Sequence, residues 1–303
     1  MSRPGPYNTR ALREAIAADK SAVVEFLLQQ GVDPNVPDHE DSEPPLLLAA
    51  MCGSDQAMHV LLSHGASINA IDRHGNTALH WAAIVGNMNC VTLLLSHGIP
   101  INITNDIEVT PLMFAASYEH IDIVGYLLQQ GASTLPQLNQ WNESALTFAC
   151  YAGDIGIVEI ILAVEVPVEY RSRELYSSLG QAALGRHMDV VELLLDLKAP
   201  VDLQDTLIEN PLHLAIRGGN ESIISLLLSQ GANIEAISLD GYTPLMAATR
   251  GRNVNAVTAL LDAGADIYAV NEATGETAFS LAEERGYVEI GSILLGAIIR
   301  KNL

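Results

Sequence analysis

Nine histidines and three cysteines are the residues of this chain best suited to chemistry near neutral pH. Histidine carries most general acid–base work, and both residue types bind transition metals. Six of the nine, His64, His80, His97, His120, His187 and His213, stand at positions that recur along the chain. A side chain repeated in step with its surroundings is expected to serve the fold, so these six are read as structural. His39 lies in "DHEDSE" (38–43), where adjacent carboxylates could suggest a metal site. In a loop they read instead as a solvated acidic finger, since no paired-cysteine or spaced-histidine zinc pattern accompanies them. His59 and His74 sit on two other local elements. Cys52, Cys90 and Cys150 form no CxxC pair, and each lies in an apolar helical stretch. They are expected to be buried and reduced, which implies a reducing compartment. There is no GxSxG, no HExxH and no phosphate-cradling GxxxxGK[ST] word. The expectation is a protein with no catalytic residue, no metal and no cofactor.

Charge narrows the choice of partner. Fifteen basic residues face 36 acidic ones, a formal net charge of −21. Nucleic-acid binding depends on neutralising phosphates with Lys and Arg, and the longest basic cluster is the pair Arg300–Lys301. Nucleic acid and anionic membrane are therefore poor partners, and a protein with a basic surface is favoured. The N-terminal "MSRPGPYNTR" lacks the apolar run of a signal peptide. The best candidate span, Ile290–Ile299, has about ten residues, half of what a bilayer crossing needs. A soluble monomer is expected, in the cytoplasm, with the nucleus as the alternative.

The elements that hold these residues are copies of one another. "TALHWAA" (77–83) and "TPLMFAA" (110–116) are thirty-three residues apart. The leucine of that word recurs as Leu12, Leu46, Leu79, Leu112, Leu146, Leu179, Leu212 and Leu245, then as Phe279, always at a step of thirty-three or thirty-four. A second leucine keeps the same step, from Leu28 through Leu62, Leu95, Leu128, Leu162, Leu195, Leu228 and Leu261 to Leu295. Between the marks, "TALHWAAIVG" reads as a helix with a threonine at its start and a glycine stop. "NMNCVTLLLSHG" reads as a second helix, apolar at Cys90, Val91, Leu94 and Leu95. A polar loop then returns to the next threonine, often through Asp-x-x-Gly, as in "DRHG" (72–75).

A thirty-three-residue step with a T-P-L-H-x-A word is the pattern of ankyrin repeats. From about residue 8 onward the chain resembles that family, through "TALHWAA", "TPLMFAA", "NPLHLAI" (210–216), "YTPLMAA" (242–248) and "LLSQGANIEA" (227–236). The resemblance implies an all-α solenoid of helix-turn-helix units with hairpin-like finger loops. Nine repeats form a single array, at about 8–35, 36–70, 71–104, 105–136, 137–170, 171–203, 204–237, 238–270 and 271–303. It also implies a hydrogen-bonding role for His80 and His213, at the fourth place of the word. Repeat six departs from the pattern: Gly180 stands at the histidine place, and Glu165 and Lys198 replace helix-ending glycines. Its turn is expected to differ or to be locally soft. The ladder Trp81, Phe114 and Phe148, in register with Leu48 and Leu214, is expected to be core.

Partners of the family usually touch the finger tips and the end of the first helix, which line a concave face. At helix ends, this points to Ile84, Val85, Tyr118, Tyr151 and Leu184. At the fingers, it points to His74, Ile107, Trp141 and Tyr176, with Arg73, Val109 and Arg173 beside them. Trp141 lies in a finger, "STLPQLNQWNES" (133–144), one residue longer than most. Exposed apolar and aromatic side chains grouped on one surface mark interaction sites. The favoured reading is a scaffold or adaptor that binds another protein on this face. The alternative is an enzyme or small-molecule binder of some biosynthetic pathway, with a pocket in the concave centre near Arg73, His74, Tyr118 and Tyr151.

Overall fold

The computed structural model describes residues 6–37, 43–134, 143–165, 167–203 and 208–301. Among them the regular structure is helical, apart from an isolated antiparallel bridge between Ile71 and Thr77. The helices group into two compact halves, Met1–Gln140 and Trp141–Leu303.

The N-terminal half holds four helix pairs. First helices α1 (Pro6–Ala17), α3 (Pro45–Cys52), α5 (Ala78–Val85) and α7 (Pro111–Ser117) alternate with second helices α2 (Ser21–Gln29), α4 (Asp55–Ser63), α6 (Met88–Ser96) and α8 (Ile121–Gln129). First packs on first and second on second, so each pair buries its apolar face only against its neighbours. The repeated leucines Leu12, Leu46, Leu79 and Leu112 and the alanines Ala49, Ala82 and Ala115 fill this interior. Small residues at the helix contacts let the backbones approach closely, which fits the alanine-rich words.

The C-terminal half repeats the plan. Its first helices are α9 (Ala145–Ala152), α11 (Val168–Gly185), α13 (Pro211–Gly218), α15 (Pro244–Arg250) and α17 (Ala278–Glu284). Its second helices are α10 (Ile155–Leu162), α12 (Met188–Asp196), α14 (Glu221–Ser229), α16 (Val254–Asp262) and α18 (Val288–Lys301). Both halves are all-helical solenoids, as the periodicity implied.

One element breaks the rhythm. Helix α11 has 18 residues where α5 or α9 has eight. The stretch that elsewhere forms a finger is absorbed into it. The reason is local: "RSRELYSSLG" (171–180) offers strong helix formers and no Asp-x-x-Gly turn, and Pro167 just ahead pre-sets the start. Leu175, Tyr176, Leu179, Ala182 and Ala183 give the extended helix an apolar stripe, and all are buried. Tyr176, expected at a finger tip, is therefore a core residue at 1% exposure. Arg173, also expected on a finger, lies within the same helix. Glu174 is buried with it, and accepts a hydrogen bond from Ser144 Oγ (3.2 Å). Burial pushes its carboxyl above the usual range, against the pull of Arg171.

Repeat six, expected to differ at its turns, holds two non-glycine residues in the left-handed region, Arg186 and Lys198. Lys198 adopts φ +63°, the left-handed region that glycine fills at Gly98 or Gly231. Glu165 does not, because α10 ends through Ala163 in a right-handed conformation and the chain runs straight on to α11. Left-handed strain at a lysine costs about 1 kcal/mol. Lys198→Gly is expected to raise the melting temperature of the C-terminal half by about 2–4 °C. Glu165→Gly should lower it or leave it unchanged. Thermal unfolding followed by circular dichroism decides, and a Lys198→Gly protein that melts lower than the parent removes the strain argument.

Candidate functional site

Two strips of surface gather the residues that the sequence singled out, one in each half. In the N-terminal half the strip starts at the finger of repeat three. Asp72 organises that finger by accepting from the backbone N–H of His74 (2.8 Å) and Asn76 (2.9 Å), from Asn76 Nδ2 (3.0 Å) and from Trp81 Nε1 (3.0 Å). Burial works to raise its carboxyl, but these four donors outweigh burial and hold it below the usual range. His74 is exposed at the tip. Its carbonyl accepts from the backbone N–H of Asp106 (3.1 Å), which ties the finger to that of repeat four, where Ile107 is exposed. At the helix ends, Val85 and Tyr118 are exposed and Ile84 is half-buried. The Tyr118 ring leans on Phe114 at 6.5 Å between centroids, and Phe114 meets His80 edge-on at 5.9 Å.

The C-terminal half contributes Tyr151, exposed at the end of α9, and Leu184, half-buried near the end of α11. Trp141 and His39 lie outside the described residues. Tyr118 and Tyr151 fall in different halves, so each belongs to its own strip. Four sequence expectations need correction. Tyr176 leaves the site for the core, as above. Val109, expected on a finger, is buried at 2% because its carbonyl caps the histidine of the preceding repeat. Trp81, Phe114 and Phe148 are half-buried rather than core. They share the register of Leu48, but an aromatic ring there reaches past the edge of the stack. Cys52 is exposed, whereas Cys90 and Cys150 are buried as expected.

Five of the six repeated histidines reach a neighbouring copy, and His97 bonds within its own helix. His80 Nδ1 accepts from Thr77 N–H (3.1 Å), closing a capping box, while Nε2 donates to the Val109 carbonyl of the next repeat (3.0 Å). His213 donates likewise to Tyr242 O (3.0 Å). His120 and His187 precede the second helices and reach back to Ile84 O (2.9 Å) and Tyr151 O (3.0 Å). His64 and His97 end α4 and α6; the first meets the Glu25 carboxylate at 3.0 Å and the second the Leu93 carbonyl at 2.9 Å. Burial drives the His80 imidazole down to about 4, so it is neutral at physiological pH and fixed in one tautomer by its two partners. Among the described residues, no group of three His, Cys, Asp or Glu side chains converges as a metal site.

A family model described as ankyrin repeats matches the chain in three copies, over residues 12–105, 100–173 and 179–271. The chain belongs to the ankyrin-repeat family. Curated relatives match over single stretches of its ankyrin repeats. Neurogenic locus notch homolog protein 2 of Homo sapiens is 37% identical over 71 residues, 23% of this chain and 3% of that protein. Phosphocholine transferase AnkX of Legionella pneumophila is 34% identical over 74 residues, 24% of this chain and 8% of that protein. Glycerophosphocholine phosphodiesterase gde1 of Schizosaccharomyces pombe is 33% identical over 72 residues, 24% and 6% respectively. The chain thus matches less than a tenth of the length of each of these relatives.

One feature of this ankyrin array escaped the sequence reading. A groove of about 980 Å³ in the C-terminal half is lined by Arg217, Arg250, Arg252 and Arg285, with Tyr242 and Leu239 on its walls. The signal was present: Arg217 to Arg250 and Arg252 to Arg285 are both steps of thirty-three. No helix among the described residues is long and apolar enough to cross a membrane.

Proposed function

We propose that this chain is a non-enzymatic scaffold that holds a protein partner through the first-helix ends and finger tips of each half. It acts as a monomer in the cytoplasm or nucleus, and its partner presents a basic surface. The carrying observation is that Tyr118, just past the end of α7, and Tyr151, in the last turn of α9, are each 52% exposed. A large ring held in solvent by a rigid helix buries much area on binding at little entropic cost. His74, Ile84, Val85 and Ile107 supply further contact in the half that holds Tyr118, and Leu184 in the half that holds Tyr151, while the net charge of −21 favours encounter with a basic partner. Two relatives are named for enzymes, but the ankyrin repeats they share with this chain are a small part of each.

Capture from native extract on the immobilised chain tests this reading. Tyr118→Ala and Tyr151→Ala should each weaken retention of the captured protein about thirtyfold, the cost of about 2 kcal/mol for a hot spot. The helical circular dichroism and melting curve should stay unchanged, because neither ring is in the core. Folded variants that retain the partner at parental affinity would remove the first-helix ends as the site.

A further inference from the structure

We infer that the arginine groove of the C-terminal half is a docking site for an acidic segment of a partner polypeptide. The inference shares with the preceding section only the premise that the chain binds protein, and it does not depend on Tyr118 or Tyr151.

The first argument is the sign of the local charge. The chain carries 15 basic residues in all, and four of them face this one groove against two lining carboxylates, Glu209 and Asp240. At physiological ionic strength the screening length is about 8 Å, so a ligand inside the groove responds to these groups more than to the distant acidic surface. The groove is thus a local inversion of the field, suited to a ligand that the rest of the molecule repels.

The second is that the guanidiniums are only partly committed. Arg217 is satisfied by Glu209, whose two oxygens accept at 3.1 and 2.9 Å. Arg250 is not: its contact with Asp240 is long, at 3.4 Å, and both side chains are exposed. An exposed pair of that kind contributes little and exchanges readily. Arg252 and Arg285 form no ion pair with a described residue. Arg252 sits 5.8 Å above the Tyr287 ring, and Arg250 sits 4.9 Å above the Tyr242 ring. Tyr242 is itself fixed by donating to Glu276 Oε2 (2.9 Å). A cation–ring contact of this kind favours a guanidinium position near the ring before a ligand arrives, and a guanidinium can donate to a carboxylate in pairs.

The third is the shape and lining. A volume near 1,000 Å³ is at the upper end of ligand sites and extends over three repeats, longer than a single small anion needs. Leu239, 70% exposed on the lip, offers an apolar contact that a free anion would leave unused. Together these fit a short run of Asp and Glu interrupted by an apolar side chain.

The test uses the full chain and fluorescence anisotropy with a labelled octapeptide of Glu and Asp around one Leu, beside its Gln/Asn and Lys counterparts. Saturable binding is expected for the acidic peptide alone, weakening about tenfold or more for the neutral one. Arg250→Gln/Arg252→Gln/Arg285→Gln should lose at least about tenfold in affinity, whereas Lys301→Gln, Tyr118→Ala and Tyr151→Ala should bind like the parent. Should the triple variant lose helicity, Arg285→Gln alone carries the test, with an expected loss of about threefold. The inference is overturned if the acidic peptide does not saturate, if a folded arginine variant binds it as the parent does, or if about 1 mM inorganic phosphate displaces it. Acidic-peptide binding that survives beside tyrosine variants still able to capture their partner would sink the scaffold face and leave the groove standing.

Discussion

Lowering the pH from 6.5 to 4 is expected to remove about 3 kcal/mol of stability from the N-terminal half through one side chain, His80. The imidazole is fully buried, and burial lowers its pKa from 6.5 to about 4 in the folded state. In the unfolded chain it takes up a proton near 6.5, so the unfolded state binds more protons throughout this window. Stability is therefore complete above 6.5 and drains away as the pH falls toward 4. The opposing change is protonation of the 36 acidic residues, which relieves the repulsion of a strongly negative chain. The comparison must accordingly be made against a variant. His80→Ala leaves Thr77 N–H and the Val109 carbonyl without their partner, and should cost about 2–4 kcal/mol at pH 7.5. At pH 4 parent and variant should differ by about 1 kcal/mol or less. Hydrogen exchange at the backbone N–H groups of α5, measured in both proteins across this range, reports the difference. Equal pH slopes in the two would show that His80 is not the acid-sensitive group.

Gly153→Ala is expected to destabilise the C-terminal half by about 3 kcal/mol, the left-handed strain and a lost hydrogen bond combined. Gly153 ends α9 at φ +98°, and a Cβ there would stand 2.2 Å from the His187 ring. The ring would have to swing away and release the Tyr151 carbonyl that it holds at 3.0 Å. The same turn one repeat later is instructive. Arg186 occupies it at φ +70°, and there the following repeat brings Asn220, whose side chain caps its own helix instead of crossing over. A side chain at this turn is thus tolerated where no histidine leans on it. The double variant Gly153→Ala/His187→Ala should cost clearly less than the sum of the two single changes. Additive costs in urea unfolding would mean that glycine is needed for its backbone alone.

Most of the fold could be read before any coordinates, because two apolar marks, leucine in almost every case, kept their step of thirty-three or thirty-four along the chain. The helices and their order followed from that register, and so did the structural part of the repeated histidines, but not that most of them bond to a neighbouring copy. Counting register has a blind spot, however: it fixes where residues stand in the copy and says nothing about the path between. Leu179 is on step, yet the chain reaches it through a helix rather than a finger, and Tyr176 moved from the surface to the core with that change. The cue lay in composition, in the missing Asp-x-x-Gly and the run of helix formers after Pro167. Trp81, Phe114 and Phe148 failed for a different reason, since a shared register fixes the Cα and not how far a large ring extends. The site was legible only as a set of positions. Exposure of Tyr118 and Tyr151 agrees with it, whereas the stacked arginines required a structure, because cation–ring geometry depends on side chains from neighbouring repeats.

The long helix α11 also bears on how such a chain can change its length over generations. Interchangeable copies invite unequal crossing-over, in which one repeat is lost or gained and the flanking copies close up as before. That holds where a cut falls in a finger. Here the residues that should be a finger belong to α11, which packs between α9 and α13, with the buried Glu174 accepting from Ser144 in the copy before. A cut at this place joins a loop to the middle of a helix and strands a buried carboxylate. Repeats five to seven are in consequence expected to be gained or lost only as one block, while copies on either side of it can be duplicated or lost singly.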